Sequence, residues 1–320
     1  MYQQALLIKL SEKFPRASLN ELLAEALEIS YDAAHRRTSL KSKMSFDEAV
    51  AVAVYYKLSL DELIGNVAGN FVAVEKTSAI VNEAGLCQYL QTSYQMLRQV
   101  VKSKEYSLWY SAKDIPLFYL LHNNLLGRFK LFVWLKLLDT KYAPITFSKF
   151  SPFLSTVQAG LQLADFYRGV RSCEIWNTTT INSTLKQIHF YYEAGDITTE
   201  TALELCEELS KFLKKIARQV HPESEFTLYY NELLLMNNNV LISDGQQQSL
   251  FVPKSMLSYF KTTDRATCKE AVDYFAKQVN HSKLLNTAGA KERHKFFAKM
   301  EQKVNALRAM INAADLLDFE

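Results

Sequence analysis

Between His35 and Ser45 the chain reads "HRRTSLKSKMS", with Arg36, Arg37, Lys41 and Lys43 and no carboxylate. Uncompensated cations at that density suit polyanion recognition, in which each paired phosphate releases condensed counterions. Tyr31, Asp32, His35, Arg36 and Ser39 stand at i, i+1, i+4, i+5 and i+8, so on a helix they share one polar face. Such side chains contact base edges and phosphates: an arginine can fork onto guanine, while lysines beyond the helix grip the backbone without reading sequence. Ser30, just ahead, has the side chain to cap that helix. The candidate DNA-contacting residues are therefore Ser30, Tyr31, Asp32, His35, Arg36, Arg37, Ser39, Lys41 and Lys43, with Arg36 the expected base reader.

The charge is focused. Elsewhere in the first 65 residues, Lys9, Lys13, Arg16 and Lys57 face nine acidic residues, a net of minus five; the four cations of the run bring this to minus one. The whole chain of 320 residues carries only +3, too little for its entire surface to attract nucleic acid. Only a local patch can do so.

Other chemistry finds little to work with. The chain contains no G-x-S-x-G, Walker loop, G-x-G-x-x-G, H-E-x-x-H or EF-hand loop, and its 9 glycines leave little material for a phosphate cradle. Cys87, Cys173, Cys206 and Cys268 lie far apart without a C-x-x-C pair, which suggests neither zinc nor a disulfide framework. His122 and His189 have no ligand-spaced partner and read as structural, so no metal, cofactor or catalytic residue is expected. Residues 106–192 hold many aromatics, among them Tyr110, Phe118, Phe132, Trp134 and Trp176, which suit a helical core and secondarily a pocket for an apolar ligand.

The elements that must position these residues are mostly helical. Ser18 with Glu21, Ser30, Ser45 with Glu48, and Ser59 with Glu62 mark successive helix starts after a first helix that Pro15 ends, five short helices in all. Residues 66–76 read as a linker. Beyond it, helical patterns follow one another, with Asp114 and Pro116 opening a helix, Gly195 stopping one and Thr198 capping the next. From 225 to 252 the composition turns β-branched and aromatic around Asn237–Asn239 and Asp244-Gly245, as in a strand, hairpin, strand unit, and helices are expected to resume after Pro253. Phe297, Met300, Val304, Leu307, Ile311 and Ala314 recur at the spacing of a coiled-coil seam, suited to packing within the chain or to a homodimer.

The apolar stretch 115–138 is broken by His122, Asn123, Asn124, Arg128, Lys130 and Lys136, which does not suit a membrane span. With no signal-peptide pattern at the start, a cytoplasmic protein without membrane contact is expected.

The string "LAEALEISYDAAHRRTSLKSKMSFDEAVAVAVYYKLSLDELIG" resembles the helix-turn-helix domain of lambda-repressor-like regulators. The remainder, with "SAKDIPLFYLL", "EIWNTTTINSTLKQIHFYYEAG" and "KERHKFFAKM", resembles the C-terminal region of helix-turn-helix proteins from Bacteroidetes-type bacteria. The resemblance implies that helix 30–38 reads a major groove as part of a transcriptional regulator that is not an enzyme. It departs from the pattern at Glu28, where the turn usually holds Gly, and at Arg37, where an apolar residue is usual; the arginine stem must then lie along the helix junction. The expected fold is mainly α: a five-helix DNA-binding domain over 1–65 and a large helical sensor or oligomerisation domain over 77–320, with a small β-hairpin near 225–252. Double-stranded DNA is the expected partner, with a homodimer and a small-molecule effector as further ones. The alternative function is a protein-interaction adaptor that keeps the five-helix fold without DNA binding, and Glu28 and the acidic remainder of the domain speak for it.

Overall fold

Ser30 and Ser45 each open a helix by accepting a backbone N–H three residues on, from Ala33 at 3.3 Å and from Glu48 at 3.1 Å. At Ser45 the box is closed by Glu48, whose carboxylate accepts the Ser45 N–H at 2.9 Å. The computed structural model describes residues 2–60, 72–233 and 237–316, which divide into a small unit ending at Val74 and a large one beginning at Glu75.

The small unit holds α1 (Tyr2–Lys13), α2 (Leu19–Leu27), α3 (Tyr31–Thr38) and α4 (Phe46–Tyr55). Leu6, Leu7 and Leu10 of α1 pack with Leu22, Leu23, Ala34, Val52 and Tyr56 in one core. Ser18 precedes α2 as expected, but its side chain makes no capping bond. The fifth helix expected from Ser59 and Glu62 falls largely outside the described residues, as does most of the 66–76 linker.

The large unit corrects the expectation of a mainly α fold with one small hairpin. It is a mixed α/β unit built on an eight-stranded sheet in the order β1-β7-β6-β5-β2-β3-β4-β8. The strands are β1 (Glu75–Lys76), β2 (Ser107–Ala112), β3 (Ser172–Trp176), β4 (Phe226–Asn231), β5 (Val240–Ser243), β6 (Gln248–Ser255), β7 (Ser258–Thr262) and β8 (Ser282–Leu284). β2, β3 and β4 run parallel and every other pairing is antiparallel. The helices are α5 (Glu83–Val100), α6 (Leu125–Leu138), α7 (Leu154–Tyr167), α8 (Asn182–Glu193), α9 (Thr199–Gln219), α10 (Arg265–Asn280) and α11 (Ala290–Leu316). Parallel neighbours need crossovers; α6 and α7 lie between β2 and β3 in the chain, and α8 and α9 between β3 and β4.

The expected hairpin exists as β5 and β6, turned at Asp244-Gly245, where Gly245 takes φ +93°. The segment 226–231 is a strand too, but it pairs with β3 and β8 rather than with the hairpin. Pro253 lies inside β6, Glu75–Lys76 forms the sheet edge where linker was expected, and Pro116 opens only a 3-10 turn, Leu117–Leu120. The full helix starts later, at Leu125, where Asn124 caps it and Gly127 lies so close to the His122 carbonyl that a Cβ would meet the oxygen at 1.9 Å.

Side chains alternate across the sheet. Leu108, Tyr110, Trp176, Leu228 and Ile242 face a core shared with α5–α9 and α11, while Trp109, Ile175, Tyr229 and Leu241 face Phe275 and Cys268 of α10. The central strands are thus covered on both sides. The C-terminal seam is spent within the chain: Met300, Val304, Leu307 and Ile311 are buried, and Ser210 and Glu207 of α9 bond Glu301 at 2.6 Å and Arg308 at 3.0 Å. A homodimer needs another surface.

At the centre of β3, the fully buried Glu174 carboxylate accepts bonds from Tyr119 Oη, Tyr167 Oη and Trp176 Nε1, each at 2.7 Å. Burial pushes its pKa from 4.5 up to about 7, against the three donors, which pull it down. The folded state therefore holds a proton that the unfolded state has lost between about pH 4.5 and 7. The contribution of Glu174 to stability should be fully present below that window and fall by about 3 kcal/mol as pH rises through it. Chemical denaturation across pH should show this slope, and Glu174→Gln should flatten it; an unchanged slope in the variant would place the titration elsewhere.

Candidate nucleic-acid interface and ligand cavity

The α2–α3 pair depends on its turn. Glu28 occupies the left-handed region at φ 52°, ψ 42°, and the Ile29 N–H bonds back to the Ala24 carbonyl at 3.1 Å. This is the position where Gly is usual, and the side chain there costs about 1 kcal/mol. Ala34 of α3 is fully buried against Leu23, so the first helix braces the second through a small residue at their crossing.

On the opposite side of α3, Tyr31, Asp32, His35, Arg36 and Ser39 are all exposed, as are Ser30 before it and Lys41 and Lys43 beyond it. The expected polar face is a face of the folded unit. Asn20 of α2 steadies two of its members, donating to Tyr31 Oη at 2.9 Å and lying 3.4 Å from His35 Nδ1. Arg36 is exposed and makes no ion pair among the described residues.

Arg37 stands apart from the other candidates. Its guanidinium reaches both oxygens of Glu48, at 2.5 and 3.2 Å, and also the Ala33 carbonyl at 3.0 Å, with its side chain only 19% exposed. The paired charge holds the Arg37 pKa above and the Glu48 pKa below their ordinary values. Arg37 thereby ties α3 to the capping box of α4, and its head is turned to Glu48 and the Ala33 carbonyl rather than to the exposed face.

The Lys41–Lys43 loop is fixed from a residue the sequence did not single out. Gln3 of α1 donates to the Arg37 and Ser42 carbonyls at 2.8 and 3.0 Å and accepts the Met44 N–H at 2.9 Å. Leu40 takes φ 61°, turning the chain back so that the Ser42 N–H meets the Arg36 carbonyl at 2.9 Å. Three bonds from one amide fix the loop that carries the lysines just past the exposed face of α3.

The large unit carries two adjoining cavities. One, of about 420 Å³, is mainly apolar, walled by residues such as Leu97, Leu108, Phe118 and Phe251. The other, of about 330 Å³, is polar and opens at the carboxyl end of β2, lined by Lys113, Asp114, Lys130, Ser183, Thr184 and Gln187 among others. Tyr110, Leu117 and Tyr259 line both. Ligands of open α/β sheets commonly sit outside the carboxyl ends of the strands. Here β2 is also the strand at which pairing changes from parallel, with β3, to antiparallel, with β5.

Lys130 was visible in the sequence only as an interruption of an apolar run. The signal that marks it is a lysine in "GRFKLFVWL", flanked on α6 by Phe129 and Leu131, both buried. Asp114, expected to start a helix, instead accepts from Ser183 Oγ, while its backbone N–H donates to Asn238 Oδ1 at 2.9 Å. Most of the aromatic set is core: Phe129, Phe132, Phe147, Phe150 and Tyr191 pack ring against ring. His189 lies 3.2 Å from Glu193 on its own helix, and burial lowers the pKa of His122. Among the described residues no cluster of His, Cys, Asp or Glu could hold a metal ion, and no helix is long and apolar enough to cross a membrane. No family model, curated protein or solved structure matches the chain.

Neighbouring arginines should behave oppositely. Arg37→Ala should cost the small unit about 1 kcal/mol and speed amide exchange along α3, since it removes a forked pair and leaves Glu48 unmatched. Arg36→Ala should leave exchange within about 0.5 kcal/mol of the parent. Hydrogen exchange read by mass spectrometry separates the two.

Proposed function

We propose that this protein is a sequence-specific DNA-binding transcriptional regulator whose large unit binds a small-molecule effector. The observation that supports the first part is the exposed face of α3, with Arg36 unpaired at its centre and Lys41 and Lys43 held beside it by Gln3. In this reading α3 enters the major groove of double-stranded DNA, Arg36 forks onto a guanine edge, and Tyr31, Asp32, His35 and Ser39 contact bases or phosphates. Ser30 serves the interface by capping α3 and Arg37 by bracing it. Two copies reading two half-sites would give the usual reach along the duplex. Regulation then needs binding and no catalytic step, and a cytoplasmic location suits it.

The effector part is supported by the two cavities, whose combined walls offer both apolar and hydrogen-bonding surface, as small-molecule sites do. The adaptor reading keeps one supporting observation: Glu28 and Glu25 are exposed carboxylates on the small unit that would repel phosphates.

Selection of bound oligonucleotides, followed by a salt titration of the selected site, decides between the two. The parent should enrich one sequence. Arg36→Ala should lose about 1–3 kcal/mol and relax one position. Lys41→Ala with Lys43→Ala should weaken all sequences alike and reduce the salt slope by about two. No enriched sequence, or a triple variant with unchanged affinity and salt slope, would sink the DNA reading.

A further inference from the structure

The polar cavity is built around a charge without a counter-charge. Lys130 is only 4% exposed; its Nζ donates to Gln187 Oε1 at 2.5 Å and makes no ion pair among the described residues. A buried ammonium is costly unless something negative is brought to it. Asp114 attracts it from a distance, but that carboxylate already accepts from Ser183 and, at 3.4 Å, from Asn238 Nδ2. The charged lining is Lys113 and Lys130 against Asp114, an excess of one positive charge. Ser183 and Thr184 belong to the first turn of α8, where the helix dipole adds to that excess.

We propose that this cavity binds a small organic monocarboxylate, its carboxylate on Lys130 Nζ and its apolar body against Trp134, Tyr110 and Tyr259. One excess charge matches one carboxylate; a phosphate's two charges would meet Asp114 with nothing left to balance the second. The apolar body follows from the walls and from the neighbouring apolar cavity, which shares Tyr110 and Tyr259 and gives a longer chain somewhere to go. The site names the effector class of the regulator proposed above, and in that role rests on that reading; binding itself does not.

The pH dependence has a definite sign. Burial lowers the Lys130 pKa from 10.5 to about 8. Asp114 is the charged group that acts on it, the exposed Lys113 shares the cavity lining, and the phenols Tyr110 and Tyr259 are pushed above their ordinary value by burial, so they stay neutral. Carboxylate affinity should therefore hold below about pH 8 and weaken above it as the empty site loses its proton.

Calorimetry on the full chain tests this with phenylacetate and octanoate, each beside its primary amide, and with inorganic phosphate. Each carboxylate should bind at least about tenfold more tightly than its amide, and phosphate more weakly than either carboxylate. Lys130→Met should remove the preference and its pH dependence. Gln187→Glu, which sets a carboxylate beside Nζ while keeping the lysine, should compete with the ligand and weaken it by a similar factor should Lys130→Met fail to fold. Amides binding as well as carboxylates, no binding by any carboxylate, phosphate binding tightest, or unchanged affinity in a folded variant would each overturn the proposal. Since no DNA is present, failure to bind DNA would overturn the regulator reading and leave the carboxylate site standing.

Discussion

The large unit is governed by a sheet whose central strands have no wet face. β2, β3 and β4 lie between a helical layer on one side and α10 on the other, so any polar group on them must find its partner inside the protein. Glu174 does so with two phenols and an indole. At the carboxyl end, where the strands stop and their loops emerge, the same requirement pairs Ser183 with Asp114 and Lys130 with Gln187, and the two pairs line one cavity. A cavity lined by hydrogen-bonding groups arises where the sheet's demand for cover ends.

That burial is also why the sheet escaped sequence reading. A half-exposed strand announces itself by alternation, but "SLWYSA" and "SCEIW" are covered on both faces and offer no polar rhythm. Set among long amphipathic helices, they read as more helix. The hairpin at 240–255 was legible because Asp244-Gly245 is a local turn signal, with Asp244 accepting the Gln246 and Gln247 N–H groups at 2.9 and 2.8 Å. What the segment 226–231 pairs with was not legible, since β4 joins β3 through a crossover of two helices and no short-range pattern encodes that partner.

The small unit was readable for the opposite reason. Its elements are short, and three of its controlling features are local: the Ser30 cap, the Ser45–Glu48 box and the turn at Glu28. The polar face of α3 followed from helical spacing alone. What spacing could not separate was Arg36 from Arg37, because adjacent positions on a helix point about 100° apart and only the tertiary partner decides which is spoken for. Glu48 decides it. The same carboxylate that closes the α4 capping box holds Arg37, so cap and inter-helix pair are one interaction and α3 is fixed through it.

Lys130 poses the converse problem, a cation that the fold does not need. A leucine or methionine there would continue the apolar face of α6 at no desolvation cost, and replacing buried charges by apolar groups is often stabilising. A lysine in the middle of "FKLFVWL" carries a desolvation cost that Gln187, the distant Asp114 and the Trp134 ring, 5.9 Å from Nζ, offset only in part, since burial still lowers its pKa. Gln187, neutral and placed at hydrogen-bond distance, orients the ammonium without discharging it. A glutamate at that position would have neutralised it and closed the site to other anions. The choice of an amide at that contact is the strongest sign that the counter-charge comes from outside.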